Sequence, residues 1–251
     1  MPASISSVVA APRPRLIAGR NSLTDSYFYF AMSLVSAAII VAGFSQTVDD
    51  QLFHPAIAPP RILWVHGVVF STWIVFFILQ SALVRTRNLK WHRTLGYAGA
   101  VLAALMVPLG AVTAIRMVNF ETYRLHMPHR YAFLAVPFFD ISVFGLCMAL
   151  AIWWRKRPEF HRRLVFFATC SLLVAAFARM DHAFARHHNL SYVGVDLMLA
   201  LGVCRDLLVD RRIHTVYRVG VPFYYVAQFA VIYLAATGPD WWVRVGRALA
   251  G

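Results

Sequence analysis

Charged residues are scarce in this sequence. Only 14% of the 251 residues are Asp, Glu, Lys or Arg, whereas 60% are hydrophobic, and the mean hydropathy is +0.61. An ordinary soluble domain carries about 25% charged residues. The shortage of charge therefore excludes that class and predicts a chain that lies mostly inside a membrane.

Lysine, cysteine and the common catalytic motifs are scarce as well. Lysine occurs only at positions 90 and 156, both between predicted membrane spans, so no lysine can hold retinal inside a seventh helix. The three cysteines, Cys147, Cys170 and Cys204, form no CxxC pair and indicate packing rather than a disulfide framework. The sequence lacks GxSxG, HExxH and a Walker loop, so nothing in it indicates a serine hydrolase, a zincin protease or an NTPase.

Long apolar segments make up most of the chain. A helix needs about 20 apolar residues to cross about 30 Å of hydrocarbon. We predict an all-α, polytopic bundle of seven transmembrane helices in residues 27–251, preceded by a disordered cytoplasmic tail in residues 1–26. The predicted spans are residues 27–44, 62–84, 95–115, 131–154, 164–179, 190–204 and 219–237.

The basic residues predict the orientation of the bundle. Of the 24 Lys and Arg residues, 16 fall in the N-terminal tail and in the turns that follow the second, fourth and sixth spans. The positive-inside rule places these segments in the cytoplasm of a bacterial cell and the C-terminus in the periplasm. The net charge of +13 then reflects insertion in the inner membrane and contact with anionic lipid headgroups, and not a nucleic-acid partner.

A short motif occurs in two of the predicted cytoplasmic turns. Trp-His-Arg-Thr-Leu at residues 91–95 and Phe-His-Arg-Arg-Leu at residues 160–164 each join a basic cluster to a span. This repetition predicts two related hairpins in parallel orientation. The third basic turn also has a histidine, His214, shortly before the last span.

Two interpretations of these histidines are open. In the first, histidine and arginine side chains bind lipid phosphates while the neighbouring aromatic ring lies at the interface, which requires no activity. In the second, His92 and His161 face one another and bind haem b or a transition metal, as axial histidines do between helices. Such a redox protein would exchange electrons with quinone or another membrane partner. The candidate cofactor-binding residues are His92, His161, Arg93, Arg162, Arg163 and His214, with the arginines as partners for haem propionates.

Most of the other histidines are predicted near the periplasmic face. His66 begins a stripe with Phe70, Trp73, Phe77 and Gln80 at helical spacing, and a stripe with polar ends should face the bundle. Imidazole suits divalent transition metals, and the candidate metal ligands are His66, His129 and His182. The spacing of His182, His187 and His188 only loosely resembles the histidine boxes of di-iron oxygenases, so a solvated loop is the favoured interpretation there.

Two acidic residues are predicted within spans. Asp140 lies about 15 Å along a helix from Arg130, close to the bilayer midplane, and Asp196 lies in the sixth span. An ionisable group at this depth is costly and usually has a partner or a function. The candidate polar network consists of Asp140, Asp196, Arg179, Gln80 and Gln228. It predicts either a hydrogen-bonded tie in a non-catalytic accessory subunit, or the binding site of a small-molecule or lipid carrier.

The motifs together resemble a group of uncharacterised bacterial multi-pass membrane proteins, from about Arg61 to Trp241. The shared pattern is His-Gly-x-x-Phe-x-x-Trp, a Gln, His-Arg-x-Leu-Gly, His-Arg-x-Leu, an Arg at a helix end and Arg-Arg-x-His. It maps onto His66, Gly67, Phe70, Trp73, Gln80, His92, Arg93, Leu95, Gly96, His161, Arg163, Leu164, Arg179, Arg211, Arg212 and His214. Thr215 stands where the group usually has Pro. The resemblance implies a fold and a location but no activity.

Overall fold

The computed structural model of the protein describes residues 23–127, 130–180 and 188–251. The predicted metal ligands His129 and His182, together with His187, lie outside these residues.

The described chain is helical and contains no strand. The α-helices are α1 (Leu23–Phe44), α2 (Ile62–Arg85), α3 (Leu89–Tyr123), α4 (Ala135–Trp153), α5 (Pro158–Leu172), α6 (Val174–Phe177), α7 (His188–Arg205), α8 (Thr215–Thr237) and α9 (Asp240–Ala250). A π-helix at Asp49–Phe53 lies between α1 and α2, a 3-10 helix at Arg130–Leu134 precedes α4, and a second π-helix at Asp206–Asp210 follows α7.

Six segments of the described chain are long and apolar enough to cross a membrane. They are Tyr27–Phe44, Ile62–Arg85, Leu89–Tyr123, Arg130–Trp153, Pro158–Phe177 and Thr215–Thr237. The predicted all-α, multi-pass architecture is confirmed to this extent. The predicted sixth span corresponds to α7, which is not among these segments: it has 18 residues, contains Asp196 and ends at Arg205.

Five helices begin earlier than we predicted. α1 begins at Leu23, inside the predicted disordered tail, instead of residue 27, and α7 begins at His188 instead of 190. The other three follow basic turns. α3 begins at Leu89 instead of residue 95, α5 at Pro158 instead of 164, and α8 at Thr215 instead of 219. Hydropathy locates only the part of a helix that lies in hydrocarbon, whereas these helices continue as polar turns into the interface. Proline is favoured in the first turn of a helix, and Pro158 occupies that position in α5. His92 and His161 consequently lie in the first turns of helices and not in loops.

The predicted inward stripe of α2 is confirmed at its centre. Trp73, Phe77 and Gln80 are buried. The Trp73 ring packs edge-to-face on Phe144 of α4, with 5.1 Å between centroids, and its indole N–H donates to the Thr169 hydroxyl of α5 at 3.3 Å. Because Trp73 contacts both helices of the second hairpin, it fixes α2 against the α4–α5 pair.

The two ends of the bundle differ in charge. The turns at residues 86–88, 154–157 and 206–214 lie together at one end, which we call the basic end. The start of α1 is also there, because the Arg162 guanidinium covers the Tyr29 ring at 5.4 Å. At the opposite end, Arg179 covers Phe44 at 4.6 Å, and Arg130 pairs with Glu121.

Helix α9 was not predicted, because its 11 residues are too few for a membrane span. Gly238, in the left-handed conformation with φ 54°, ends α8 and turns the chain into α9. The Trp242 indole N–H donates to the Ala132 carbonyl at 3.0 Å, and the Asn119 amide donates to the Ala250 carbonyl at 2.7 Å. These bonds hold α9 against α3 and the start of α4 at the opposite end of the bundle.

Candidate functional site

The structure brings the two repeated histidines together. The ring centroids of His92 and His161 lie 6.3 Å apart, and the ring planes are inclined by 79°. His161 Nδ1 lies 2.9 Å from the Ala151 carbonyl oxygen. Because a carbonyl only accepts, Nδ1 is the donor in this contact, and in a neutral ring Nε2 of His161 keeps its lone pair.

The two histidines have equivalent surroundings. His161 of α5 binds the backbone of Ala151 in α4, and His92 of α3 lies against the backbone of Gln80 in α2. Each ring therefore contacts the preceding helix of its own hairpin. Nδ1 of His92 is buried and has no hydrogen-bond partner among the described residues. Each ring thus keeps one nitrogen that can bind a metal ion or a hydrogen-bonding partner.

A buried ion pair that we did not predict lies beside these histidines. Arg163 Nε donates to both carboxylate oxygens of Asp206 at 3.0 Å, and Arg163 Nη2 donates to Asp206 Oδ1 at 2.6 Å. Arg205 donates to the same oxygen at 2.8 Å and to Asp210 at 2.6 Å. Arg163, Arg205 and Asp206 are at most 2% exposed. The cluster joins α5 to the end of α7 and to the turn before α8.

The sequence held a signal for this cluster. Three of the 11 acidic residues, Glu159, Asp206 and Asp210, stand within otherwise basic turns, and acids there are natural partners for buried arginines. We had instead assigned Arg163 to a haem propionate. In the structure its guanidinium binds Asp206, Asp210 and Glu159, so its charge is already matched by carboxylates.

His214 belongs to the ion-pair cluster. Its backbone N–H donates to Asp206 Oδ2 at 3.0 Å, and its Nδ1 accepts from the Val216 N–H at 3.2 Å, which caps the start of α8. Its ring packs edge-to-face on Phe160, with centroids 4.5 Å apart. Burial lowers the pKa of His214, and the nearby Arg163 charge lowers it further. We conclude that this histidine, neutral at pH 7, orders the turn.

A second polar group lies in the interior of the bundle. The Tyr192 hydroxyl of α7 donates to Asp140 Oδ1 of α4 at 3.3 Å, and the Gln228 amide of α8 donates to Asp196 Oδ2 of α7 at 2.9 Å. Tyr224 of α8 connects the two pairs. Its ring centroid is 6.3 Å from that of Tyr192, and it is within electrostatic range of both carboxyl groups. We call these five residues the interior cluster.

Two buried atoms of the interior cluster lack partners. The Tyr224 hydroxyl and Gln228 Oε1 have no hydrogen-bond partner in the described part of the chain, although their residues are only 1% and 3% exposed. A buried polar atom without a partner costs about 1–3 kcal/mol. The interior cluster can therefore offer a donor and an acceptor to a bound proton, water or small polar molecule.

The predicted polar network is divided among three places. Asp140, Asp196 and Gln228 belong to the interior cluster, whereas Gln80 lies beside His92. Arg179 lies at the opposite end, where its guanidinium donates to the Ala175 carbonyl at 2.7 Å. Tyr192 and Tyr224 had not been predicted, because a tyrosine in an apolar segment is indistinguishable in sequence from an interfacial one.

His66, the predicted metal ligand that the structure describes, stacks on Phe70 with 3.9 Å between ring centroids. Its Nδ1 is buried, and no hydrogen-bond partner for it occurs in residues 23–127, 130–180 and 188–251. Arg179 lies within electrostatic range of this ring. The same residues contain no group of three or more His, Cys, Asp or Glu side chains arranged to hold a metal ion.

Comparison with protein-family models, with curated proteins and with solved structures finds no match to this chain. Functional conclusions therefore rest on its own residues and their geometry.

The buried ion pair predicts how stability depends on pH. Burial of Asp206 would raise its pKa, but the hydrogen bonds from Arg163 and Arg205 outweigh burial and hold the pKa below the ordinary 3.8. A lowered folded-state pKa stabilises the protein at neutral pH, and this stabilisation is lost as the pH falls below 3.8 and through the folded-state pKa. We expect Asp206→Asn to lower stability at pH 7 by about 3 kcal/mol and to flatten the acid limb of a plot of Tm against pH.

Thermal unfolding of the detergent-solubilised protein between pH 3 and 8 measures both effects. Asp49→Asn is the matched control, since the Asp49 side chain is 66% exposed. An Asp206→Asn variant with the wild-type Tm and the wild-type acid limb would contradict a stabilising role for the pair.

Proposed function

We propose that the protein crosses the inner membrane of a bacterium seven times, with α7 as the remaining span and the basic end in the cytoplasm. The 18 residues of α7 extend about 27 Å, close to the thickness of the hydrocarbon core. Arg205 at its end joins the ion-pair cluster at the basic end, and Tyr192 near its start reaches the interior cluster. The distribution of Lys and Arg supports the orientation. Membership of the bacterial group that the motifs resemble is part of the same proposal.

Single-cysteine labelling tests this topology. The background is Cys147→Ser, Cys170→Ser and Cys204→Ser, which removes all three native cysteines. In it we expect Asn88→Cys and Leu208→Cys to react from the cytoplasm and Asp240→Cys from the periplasm, because all three positions are exposed. If α7 did not cross the membrane, Leu208 would lie on the side opposite Asn88. Labelling of these two positions from opposite sides would therefore contradict the seventh span, and labelling of both from the periplasm would reverse the orientation.

We propose further that the protein is a carrier whose interior cluster binds and releases a proton. The observation that carries this proposal is the carboxyl group of Asp140, which is 5% exposed within a candidate span and accepts one hydrogen bond, from Tyr192. A purely structural tie would satisfy its members, whereas here the Tyr224 hydroxyl and Gln228 Oε1 have no partner among the described residues.

The physical argument concerns the cost of charge in hydrocarbon. An ionised carboxylate far from water is much more costly than a protonated one, and protonation is the usual way in which a buried acid reduces that cost. The interior cluster also extends toward the bundle surface, because Asp196 is only partly buried whereas Asp140 is buried. With water bound at the Tyr224 hydroxyl and Gln228 Oε1, which have no partner among the described residues, a proton can pass from Asp196 to Asp140.

Proton flux measured on the reconstituted protein tests the carrier. With a pH-sensitive dye inside the vesicles, we expect wild-type protein to dissipate a pH gradient and Asp140→Asn to slow this at least tenfold, because the amide cannot ionise. Tyr192→Phe, which removes the hydrogen bond to Asp140, should slow it less. Asp49→Asn is the control. Equal flux in wild-type and Asp140→Asn vesicles would exclude Asp140 as the proton site.

A second candidate function, a haem-binding redox protein, is favoured by one observation. Two metal–nitrogen bonds of about 2 Å hold a pair of axial nitrogens about 4 Å apart and their ring centres about 6 Å apart. The ring centroids of His92 and His161 lie 6.3 Å apart. Two arginines next to the histidines in sequence are the candidate partners for haem propionates. Arg93 is exposed, and Arg162 is 25% exposed and also binds Glu159.

Haemin titration of the purified protein tests this candidate. Bis-histidine ligation would give a sharp Soret band that His92→Ala and His161→Ala each abolish, whereas His54→Ala, in an exposed side chain, should leave it unchanged. A titration in which all three variants and the wild type give the spectrum of unbound haemin would exclude the haem site.

A further inference from the structure

A polar cavity opens at the basic end, between the start of α5 and the turn before α8. Its volume is about 330 Å³, and its walls are formed by Glu159, Phe160, Arg163, Asp210, Arg212 and His214. The cavity thus holds two carboxylates and two guanidinium groups. Arg163 binds both Asp210 and Glu159, and the Glu159 side chain is nevertheless 51% exposed. Arg212 is exposed.

An apolar groove continues from this cavity along the bundle. It has a volume of about 300 Å³ and lies between α4, α5 and α8. Its walls extend from Trp154 and Thr215 at the basic end to Tyr224 of the interior cluster. Tyr224 is nine positions after Thr215 on α8, which corresponds to about 13.5 Å along the helix. Phe160 belongs to the walls of both the groove and the polar cavity.

We infer that the cavity and the groove together bind one zwitterionic phospholipid, with its phosphate–ammonium headgroup in the cavity and an acyl chain in the groove. The guanidinium of Arg212 suits the phosphate. Glu159 Oε2 is bound by Arg162 and Arg163, so its second oxygen, Oε1, is the one that suits the ammonium. The groove suits a flexible hydrocarbon chain, because its walls are almost entirely aliphatic and aromatic.

The charges in the cavity decide between kinds of amphiphile. A purely anionic headgroup would match Arg212 but would bring its charge close to Glu159 Oε1, since Arg162 and Arg163 bind the other oxygen, Oε2. An amphiphile with an uncharged headgroup would leave the exposed Arg212 without the phosphate that a zwitterion supplies. A water-soluble solute would use the cavity but gain nothing from the groove. The inference does not depend on proton transport or on haem, since neither uses Arg212, and the groove shares only Tyr224 with the interior cluster.

Native mass spectrometry of the protein released from vesicles of equal phosphatidylethanolamine and phosphatidylglycerol content tests the site. We expect one retained phosphatidylethanolamine per chain. Val219→Trp should reduce its retention at least fivefold, because Val219 lines the groove and is 62% exposed, so that the larger ring fills the groove without disturbing the core. Val226→Trp is the matched control, since Val226 lies on the same helix, is 70% exposed and is not part of the wall.

The headgroup cavity has its own pair of variants. Arg212→Gln should reduce retention of phosphatidylethanolamine at least fivefold, whereas Arg218→Gln, an exposed arginine outside the cavity, should not change it. Preferential retention of phosphatidylglycerol would overturn the zwitterionic headgroup. Lipid that is lost equally from all five proteins as detergent is added would show unspecific annular lipid only. Retention of an isoprenoid quinone in place of phospholipid would also overturn the inference.

Discussion

The bidentate pair between Arg163 and Asp206 is the contact on which the basic end of the bundle depends. A guanidinium and a carboxylate that are 1% and 0% exposed must satisfy one another, because either charge alone would be strongly destabilising there. The same carboxylate accepts the His214 N–H and a bond from Arg205. One aspartate therefore fixes the end of α7, the start of α8 and the first turns of α5. The polar cavity and the histidine pair lie next to this framework and take their geometry from it.

The repeated motif has a structural role that does not depend on any cofactor. In both hairpins the histidine lies in the first helical turn and contacts the backbone of the preceding helix, at Gln80 in one and at Ala151 in the other. This contact joins the two helices of each hairpin where they leave the hydrocarbon. The second residue after each histidine then differs: it is Arg163, which binds Asp206, in the second motif and Thr94 in the first. The two copies of the motif thus share the contact within their hairpins. Only the second copy is also bonded to Asp206, through Arg163.

Sequence reasoning identified most of the helices and some of the polar residues, but few of their partners. Hydropathy located the six segments that can cross a membrane, because transfer of about 20 apolar residues is a local property of the chain. It failed at the helix starts near Leu89, Pro158 and Thr215, where polar residues continue the helix. It also failed for α9, which is held by contacts with Ala132 and Asn119 that are distant in sequence. Asp140 was recognised as unusual, but its partner Tyr192 lies 52 positions away, and only the packing of α4 on α7 brings the two together.

The interior cluster and the apolar groove meet at Tyr224, and this meeting has a physical consequence. The Tyr224 ring forms part of the groove wall and stacks on Phe139 at 5.3 Å, while the residue lies within electrostatic range of Asp140 and Asp196. A lipid acyl chain that fills the groove excludes water from that side of the Tyr224 ring, and this raises the free-energy cost of a charge in the interior cluster. When the acyl chain leaves the groove, water can approach the Tyr224 hydroxyl. Occupancy of the groove by lipid would therefore favour the protonated carboxyl group of Asp140, and its departure would favour release of the proton, which couples the two sites through one side chain.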